Sequence, residues 1–158
     1  MLTTVQLATL KAAILADPML SAMWTAGNPA AIALAFNEPA TPSFYVWRTS
    51  VSPSEYREAI VWTEVDALTT GSKYRIWEWL TADMTLPIDA SKLNVRQGLS
   101  DCWASNTTTR PNLLAIAKRL ANRIEKLLAT GTGSNASPAT MGYEGTLTWQ
   151  DINEAMGS

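Results

Sequence analysis

A chain of 158 residues is long enough for a core without disulfides or metals, since chains of this size bury on the order of 70% of their unfolded surface. Charged residues make up only 16%, against a usual fraction of about 25%, so either partners cover part of the surface or it is simply rich in Thr, Ser and Ala. A net charge of −2 gives no global positive field to draw the chain onto nucleic acid, and the absence of histidine removes the commonest general base and the usual catalytic zinc ligand.

Thr3 and Gln6 have the spacing of a capping box, and Leu7, Leu10 and Ile14 follow at helical intervals until Asp17-Pro18 ends the run. Asn28 with Pro29 starts a second helix, which presents Ile32, Ala33 and Phe36 to a core and stops at Glu38-Pro39. Pro39 and Pro42 then exclude a helix, and Phe44-Tyr45-Val46-Trp47 favours an extended segment. Ser52-Pro53-Ser54-Glu55 reads as a cap, a first-turn proline and a capping glutamate for a helix carrying Tyr56 and Ile60. A further helix is expected from about Thr70 through Leu80. Ile76, Trp77 and Leu80 are placed on one side of it and Trp79 on another, so contact from two directions is expected. Asp89 or Ser91 caps the next helix, whose stripe is Val95, Leu99 and Cys102 or Trp103.

The longest helix is expected from Arg110 to Ala129. Leu113, Ile116 or Ala117, Leu120, Ile124 and Leu127 repeat along one side, and Lys118, Arg119, Asn122, Arg123 and Lys126 occupy the other. Gly131 stops it. Residues 130–140 are a Gly/Ser/Thr-rich linker that cannot bury enough to fold alone, with Gly131 and Gly133 as a pivot. Beyond it Tyr143, Leu147, Trp149 and Ile152 return as anchors, and Thr148 with Asp151 is placed to start a short last helix. The expected fold is all-α, or mainly α. Residues 1–130 form a helical bundle domain with one long helix, and residues 131–158 form a linker and an extended C-terminal docking arm.

Cys102 is the only cysteine, so no intrachain disulfide forms and a buried, inert thiol is expected. Glu55 with Glu58, and Glu64 with Asp66, are close carboxylate pairs that solvated helix turns explain, and nothing in their spacing marks a glycosidase pair. Gly131-Thr132-Gly133 follows a helix rather than a strand, so it fails as a phosphate-binding loop. No catalytic, metal-binding or cofactor-binding residue is expected, and the chain is read as not being an enzyme. Lys118, Arg119, Arg123 and Lys126 either face phosphates or an acidic partner, or form an ordinary solvated helix face. The anchors at Tyr143, Leu147, Trp149 and Ile152 are the stronger signal. Left loose, they would expose aromatic surface, so the arm folds back on its own helices or docks on a neighbour. Met1-Leu2-Thr3-Thr4 has no basic region or long apolar run, and no apolar stretch reaches the ~18–20 residues of a membrane span, so a cytosol-like compartment is expected.

The run Trp62-Thr63-Glu64-Val65-Asp66 through Gly71, then Ile76-Trp77-Glu78-Trp79 and Asn94-Val95-Arg96, resembles small proteins of tailed phages and prophages. The best-matched run is Ala117-Lys118-Arg119 to Glu125-Lys126-Leu127 with Ala129-Thr130-Gly131-Thr132-Gly133. It continues through Ala136-Ser137-Pro138-Ala139-Thr140 and Glu144-Gly145-Thr146-Leu147 to Gln150-Asp151. The similarity covers nearly the whole chain and is to head–tail connector proteins, the neck adaptors that bind beneath the portal after genome packaging. This resemblance implies a helical-bundle protomer, a homo-oligomeric ring commonly of about twelve copies, and a C-terminal arm reaching the portal. Portal and tail or neck proteins are the implied partners, and genomic DNA passes through non-specifically. The implied location is the virion neck, after synthesis in the host cytoplasm. Tail terminators, stoppers and head-completion proteins of the same virion are the neighbouring roles, with a DNA-binding accessory protein as a further alternative. The resemblance supplies no catalytic residues.

Overall fold

The computed structural model describes residues 1–81, 86–103 and 107–157, the side chains of residues 79–81 excepted. In chain order the elements are α1 (Thr4–Ala16), α2 (Pro18–Thr25), α3 (Pro29–Asn37), β1 (Tyr45–Trp47), α4 (Pro53–Ala59), α5 (Trp62–Val65) and α6 (Thr70–Thr81). They continue as α7 (Leu93–Cys102), α8 (Thr109–Ile116), β2 (Lys118–Leu120), α9 (Arg123–Leu128) and α10 (Trp149–Gly157). The fold is mainly helical, with β1 and β2 paired as a two-stranded sheet. The expected boundary at residue 130 is not where the chain divides. Met1–Val46 and Leu120–Ser158 form one compact unit, and Trp47–Arg119 forms another.

In the first unit the local caps form as their spacing dictates. Thr3 and Gln6 exchange both capping-box hydrogen bonds, and the Asn28 carboxamide caps α3 above Pro29. Asp17 does more than end α1. Its carboxylate accepts from the Met19 and Leu20 N–H groups and so starts α2, with Pro18 at the first helical position. The core gathers Leu7, Leu10 and Ile14 of α1, Leu20 of α2, Ile32 and Phe36 of α3, Ile124 of α9, and Leu147, Ile152 and Ala155 near the C-terminus. α10 packs against both α1 and α3.

The single long helix from Arg110 to Ala129 does not form. α8 ends at Ile116, residues 118–120 are extended as β2, and α9 begins at Arg123. The cause lies at Asn122, whose backbone is extended. Its side chain accepts from the Glu125 N–H while the Glu125 carboxylate accepts from the Asn122 N–H, a complete capping box that starts a new helix. The neighbouring Ala121 has backbone partners outside any helix, donating to the Phe44 carbonyl and accepting from the Ala40 N–H. An apolar 3–4 spacing persists across this break, which is why periodicity alone joins the two helices.

In the second unit, Ser52 and Glu55 cap α4 as expected. Neither Asp89 nor Ser91 caps α7, which starts from Lys92 without a side-chain cap. Asp89 instead accepts from the Ser91 N–H in the turn ahead of it. The core contains Val51, Tyr56, Ile60, Ile76, Cys102, Trp103 and Leu113. α8 takes its cap from a distant helix, because Glu64 of α5 accepts from the Thr108 and Thr109 N–H groups at 2.7 and 2.9 Å. A carboxylate at this position satisfies donors that the helix cannot and complements its dipole. Ile76 is buried, but Trp77 faces outward, contrary to its expected grouping with Ile76. The side chains of Trp79 and Leu80 lie outside the described residues.

Candidate functional site

The predicted arm is part of the first unit's own fold. Leu147 and Ile152 are buried in its core, and Tyr143 packs half-buried against them. Four side chains from the helices hold the backbone of the segment. Gln6 Nε2 donates to the Gly142 carbonyl at 2.7 Å. Asn37 makes two bonds to Leu147, accepting from its N–H at 2.7 Å and donating to its carbonyl at 2.9 Å. Asn122 Nδ2 donates to the Gly145 carbonyl at 2.8 Å, and the buried Glu125 carboxylate accepts from the Gly145 N–H at 3.1 Å. The Tyr143 hydroxyl donates to the Thr146 carbonyl at 2.8 Å, and burial pushes its pKa up. Trp149, at 52% exposed, is the one predicted anchor left largely at the surface.

Gly131 and Gly133 are no pivot. The N–H of Thr130 donates to the Thr140 carbonyl and the N–H of Thr140 returns the bond, closing the loop into an antiparallel bridge. Ala139 donates to the Tyr45 carbonyl, and the Gly133 carbonyl accepts from the Tyr45 N–H at 2.7 Å. Gly133 has φ +65°, a left-handed conformation that favours glycine, and a Cβ there would overlap the Phe44 ring. Gly131 has φ +123° and lies against Ala139. The segment that composition marks as a linker is thus fixed by backbone pairing.

The four basic residues do not share one helix face, because the helix that would align them is broken. Lys118 and Arg119 belong to β2. Arg123 pairs with Asp17 at 3.6 Å, donates to the Ala35 carbonyl and stacks over the Phe36 ring. Lys126 donates to the Thr41 carbonyl at 3.1 Å and sits over Phe44. Arg123 and Lys126 therefore tie the first unit together with their charges already engaged. Two of the four carboxylates considered for chemistry are likewise committed. Glu55 is held by Arg48 and Ser52, and Glu64 by the start of α8. Burial also raises the pKa of the Cys102 thiol, so it is kept protonated.

The second unit carries the feature that periodicity misplaced. Thr70, Lys73, Tyr74 and Trp77 of α6 recur at the three- and four-residue spacing of one helix face. With Trp62 and Val65 of α5 they line an open depression of about 560 Å³, whose rim includes Arg57. Trp62, Tyr74 and Trp77 are 55%, 63% and 67% exposed. Lys73 Nζ donates to the Asp66 carbonyl at 3.1 Å and the Tyr74 hydroxyl donates to Glu78 at 2.8 Å, so these two polar ends are fixed while more than half of each aromatic residue stays exposed. Three aromatic rings grouped around one depression form a surface of the kind that protein partners cover, because Trp and Tyr bury much area at small rotamer cost.

Among the described residues, no group of three or more acidic or cysteine side chains is placed to hold a metal ion, and no helix is long and apolar enough to cross a membrane. Comparison with protein-family models, curated proteins and solved structures finds no match to this chain.

Proposed function

We propose that the chain is a structural protein of a tailed-phage virion, a head–tail adaptor at the neck that joins the portal to the tail. One observation carries this reading. Trp62 and Trp77, two of the residues on which the resemblance to neck proteins rests, are turned outward on a shared aromatic surface rather than spent in the core. A buried Trp is explained by packing, whereas an exposed pair beside Tyr74 is costly to leave in water and gains by meeting a partner.

In this reading the aromatic depression of the second unit meets a portal or neck protein, and further copies of the chain complete a ring. The C-terminal segment is structural support rather than the docking element. A net charge of −2 suits a protein past which DNA must slide, since strong phosphate binding would hold the genome in place. No catalytic step is assigned to the chain.

The test is to locate the chain in purified particles by electron microscopy and then to produce particles carrying Trp62→Ser and Trp77→Ser together. The expected result is density at the head–tail junction, and full heads without tails for the double variant. Particles that lack the chain, or normal tailed particles from a double variant that folds, would overturn the proposal.

A further inference from the structure

A second cavity, of about 220 Å³, lies within the Trp47–Arg119 unit and is lined in part by Trp47, Tyr56, Arg96, Leu99, Arg110 and Leu114. An apolar cavity of roughly 150 Å³ admits a benzene-sized ligand, so this one has room for a ring and a small polar group. Its polar lining is incomplete in two respects.

Arg96 is the first. Its guanidinium stacks on Trp47 at 4.2 Å, and Nη1 donates to the Ala90 and Ser91 carbonyls, both at 2.7 Å. These contacts fix the plane and use one corner, leaving the Nε–Nη2 edge without a hydrogen bond among the described residues. That edge is one of the two forks by which arginine holds a carboxylate. Arg110 is the second, half-buried and without an ion pair among the described residues. Among the described residues no carboxylate lines the cavity. The nearby Asp89 is engaged by Lys92 at 3.8 Å and by the Ser91 N–H, and it acts on Arg96 through space without a hydrogen bond to it among the described residues.

We propose that this cavity binds a carboxylate attached to a ring-sized apolar body. The carboxylate lies on the free edge of Arg96 and toward Arg110, and the apolar body fills the space beside Leu99 and Leu114. The same chemistry is available from a free aromatic acid and from a partner chain that ends in an aromatic residue. The site stands independently of the aromatic depression and of the neck assignment.

The test titrates isotope-labelled full-length chain with phenylacetate and with phenylacetamide, following the amides of residues 96–100 and 110–114 by NMR. Phenylacetate is expected to bind with a Kd on the order of 1 mM, and the uncharged amide at least about tenfold more weakly. Arg110→Gln, which removes no hydrogen bond seen in the fold, is expected to weaken phenylacetate about tenfold and to leave phenylacetamide unchanged. Leu114→Trp, which fills the cavity from a partly exposed position, is expected to abolish both. A peptide ending in phenylalanine, compared with its C-terminally amidated form, separates the two sources. Tighter binding of the free-acid peptide than of phenylacetate assigns the site to a partner's chain end, and weaker binding assigns it to a free acid. Absence of shifts with either acid, equal binding of acid and amide, or an unaffected Arg110→Gln variant would overturn the proposal.

Discussion

Glu55 accepts from Arg48 at 2.6 Å, and it also accepts from the Ser52 N–H at 2.9 Å, so one carboxylate serves an ion pair and a capping box together. The Arg48 guanidinium, with help from Ser52, holds its pKa at about 2, against an ordinary value of 4.5. Because the folded pKa is depressed, the charge contributes stability above about pH 4.5 and loses it as pH falls toward about 2. Arg48 and Glu55 keep 26% and 38% of their side chains exposed, so water screens the pair and its net worth is about 1 kcal/mol. Glu55→Gln keeps an acceptor for the cap while removing the charge. It is expected to lower stability by about 1 kcal/mol at pH 7, with the gap from wild type closing near pH 2. Urea midpoints at the two pH values measure this, and a gap that persists in acid would assign the effect to the cap geometry instead. Charge at Glu55 is therefore structural in the same sense as charge at Glu64, and both carboxylates hold helix starts.

At the scale of elements, α9 is the hinge between two readings of the chain, and Asn122 decides between them. Its carboxamide accepts from the Glu125 N–H at 2.9 Å and donates to the Gly145 carbonyl at 2.8 Å, so it starts the helix and grips the C-terminal segment at once. Asn122→Ala removes a cap and a long-range bond, and is expected to destabilise by about 2–3 kcal/mol. Thr3→Ala, which removes a cap alone, is expected to cost about 1 kcal/mol. Thermal unfolding of the two variants checks the difference, and equal losses would mean that the bond to Gly145 contributes nothing. The starts at Thr3, Asn28, Ser52 and Thr148 could be read in the sequence because each cap is local, its partners lying within three residues. The start at Asn122 has the same Asn-x-x-Glu signal, but an uninterrupted apolar spacing on both sides hides it. The grip of Asn37 on Leu147 spans 110 positions and that of Gln6 on Gly142 spans 136, and no local pattern encodes such pairs. The aromatic depression was legible only in part. Neighbouring helical positions such as Ile76 and Trp77 differ by about 100° in direction, and which of the two turns inward is settled by the helices packed around them.

For the whole molecule, the consequence is a chain whose two largest cores, among the described residues, have no residue in common. One is built around Leu10, Ile14, Ile32, Phe36 and Ile152, the other around Val51, Tyr56, Ile76, Trp103 and Leu113. The first is discontinuous in sequence, since Met1–Val46 requires Leu120–Ser158 to complete it. Ile152 is fully buried where α10 meets α1 and α3, so Ile152→Ala leaves a cavity there and is expected to cost about 2–5 kcal/mol. Local unfolding follows the cooperative units of a structure, so the loss belongs to the unit that contains the cavity. Hydrogen exchange on the Ile152→Ala chain is expected to show amides of α1, α3 and α10 exchanging faster, by a factor of 30 or more on an estimate of about 2 kcal/mol. Amides of α4 and α8 are expected to keep their wild-type rates. Removal of residues 131–158 takes Leu147, Ile152 and Ala155 out of the first core together, and is expected to abolish protection in α1 and α3 altogether. If the truncated chain kept that protection, the C-terminal segment would be an accessory after all, free to serve as an arm. If Ile152→Ala instead speeded exchange in α4 and α8 to the same extent, the two cores would unfold as one.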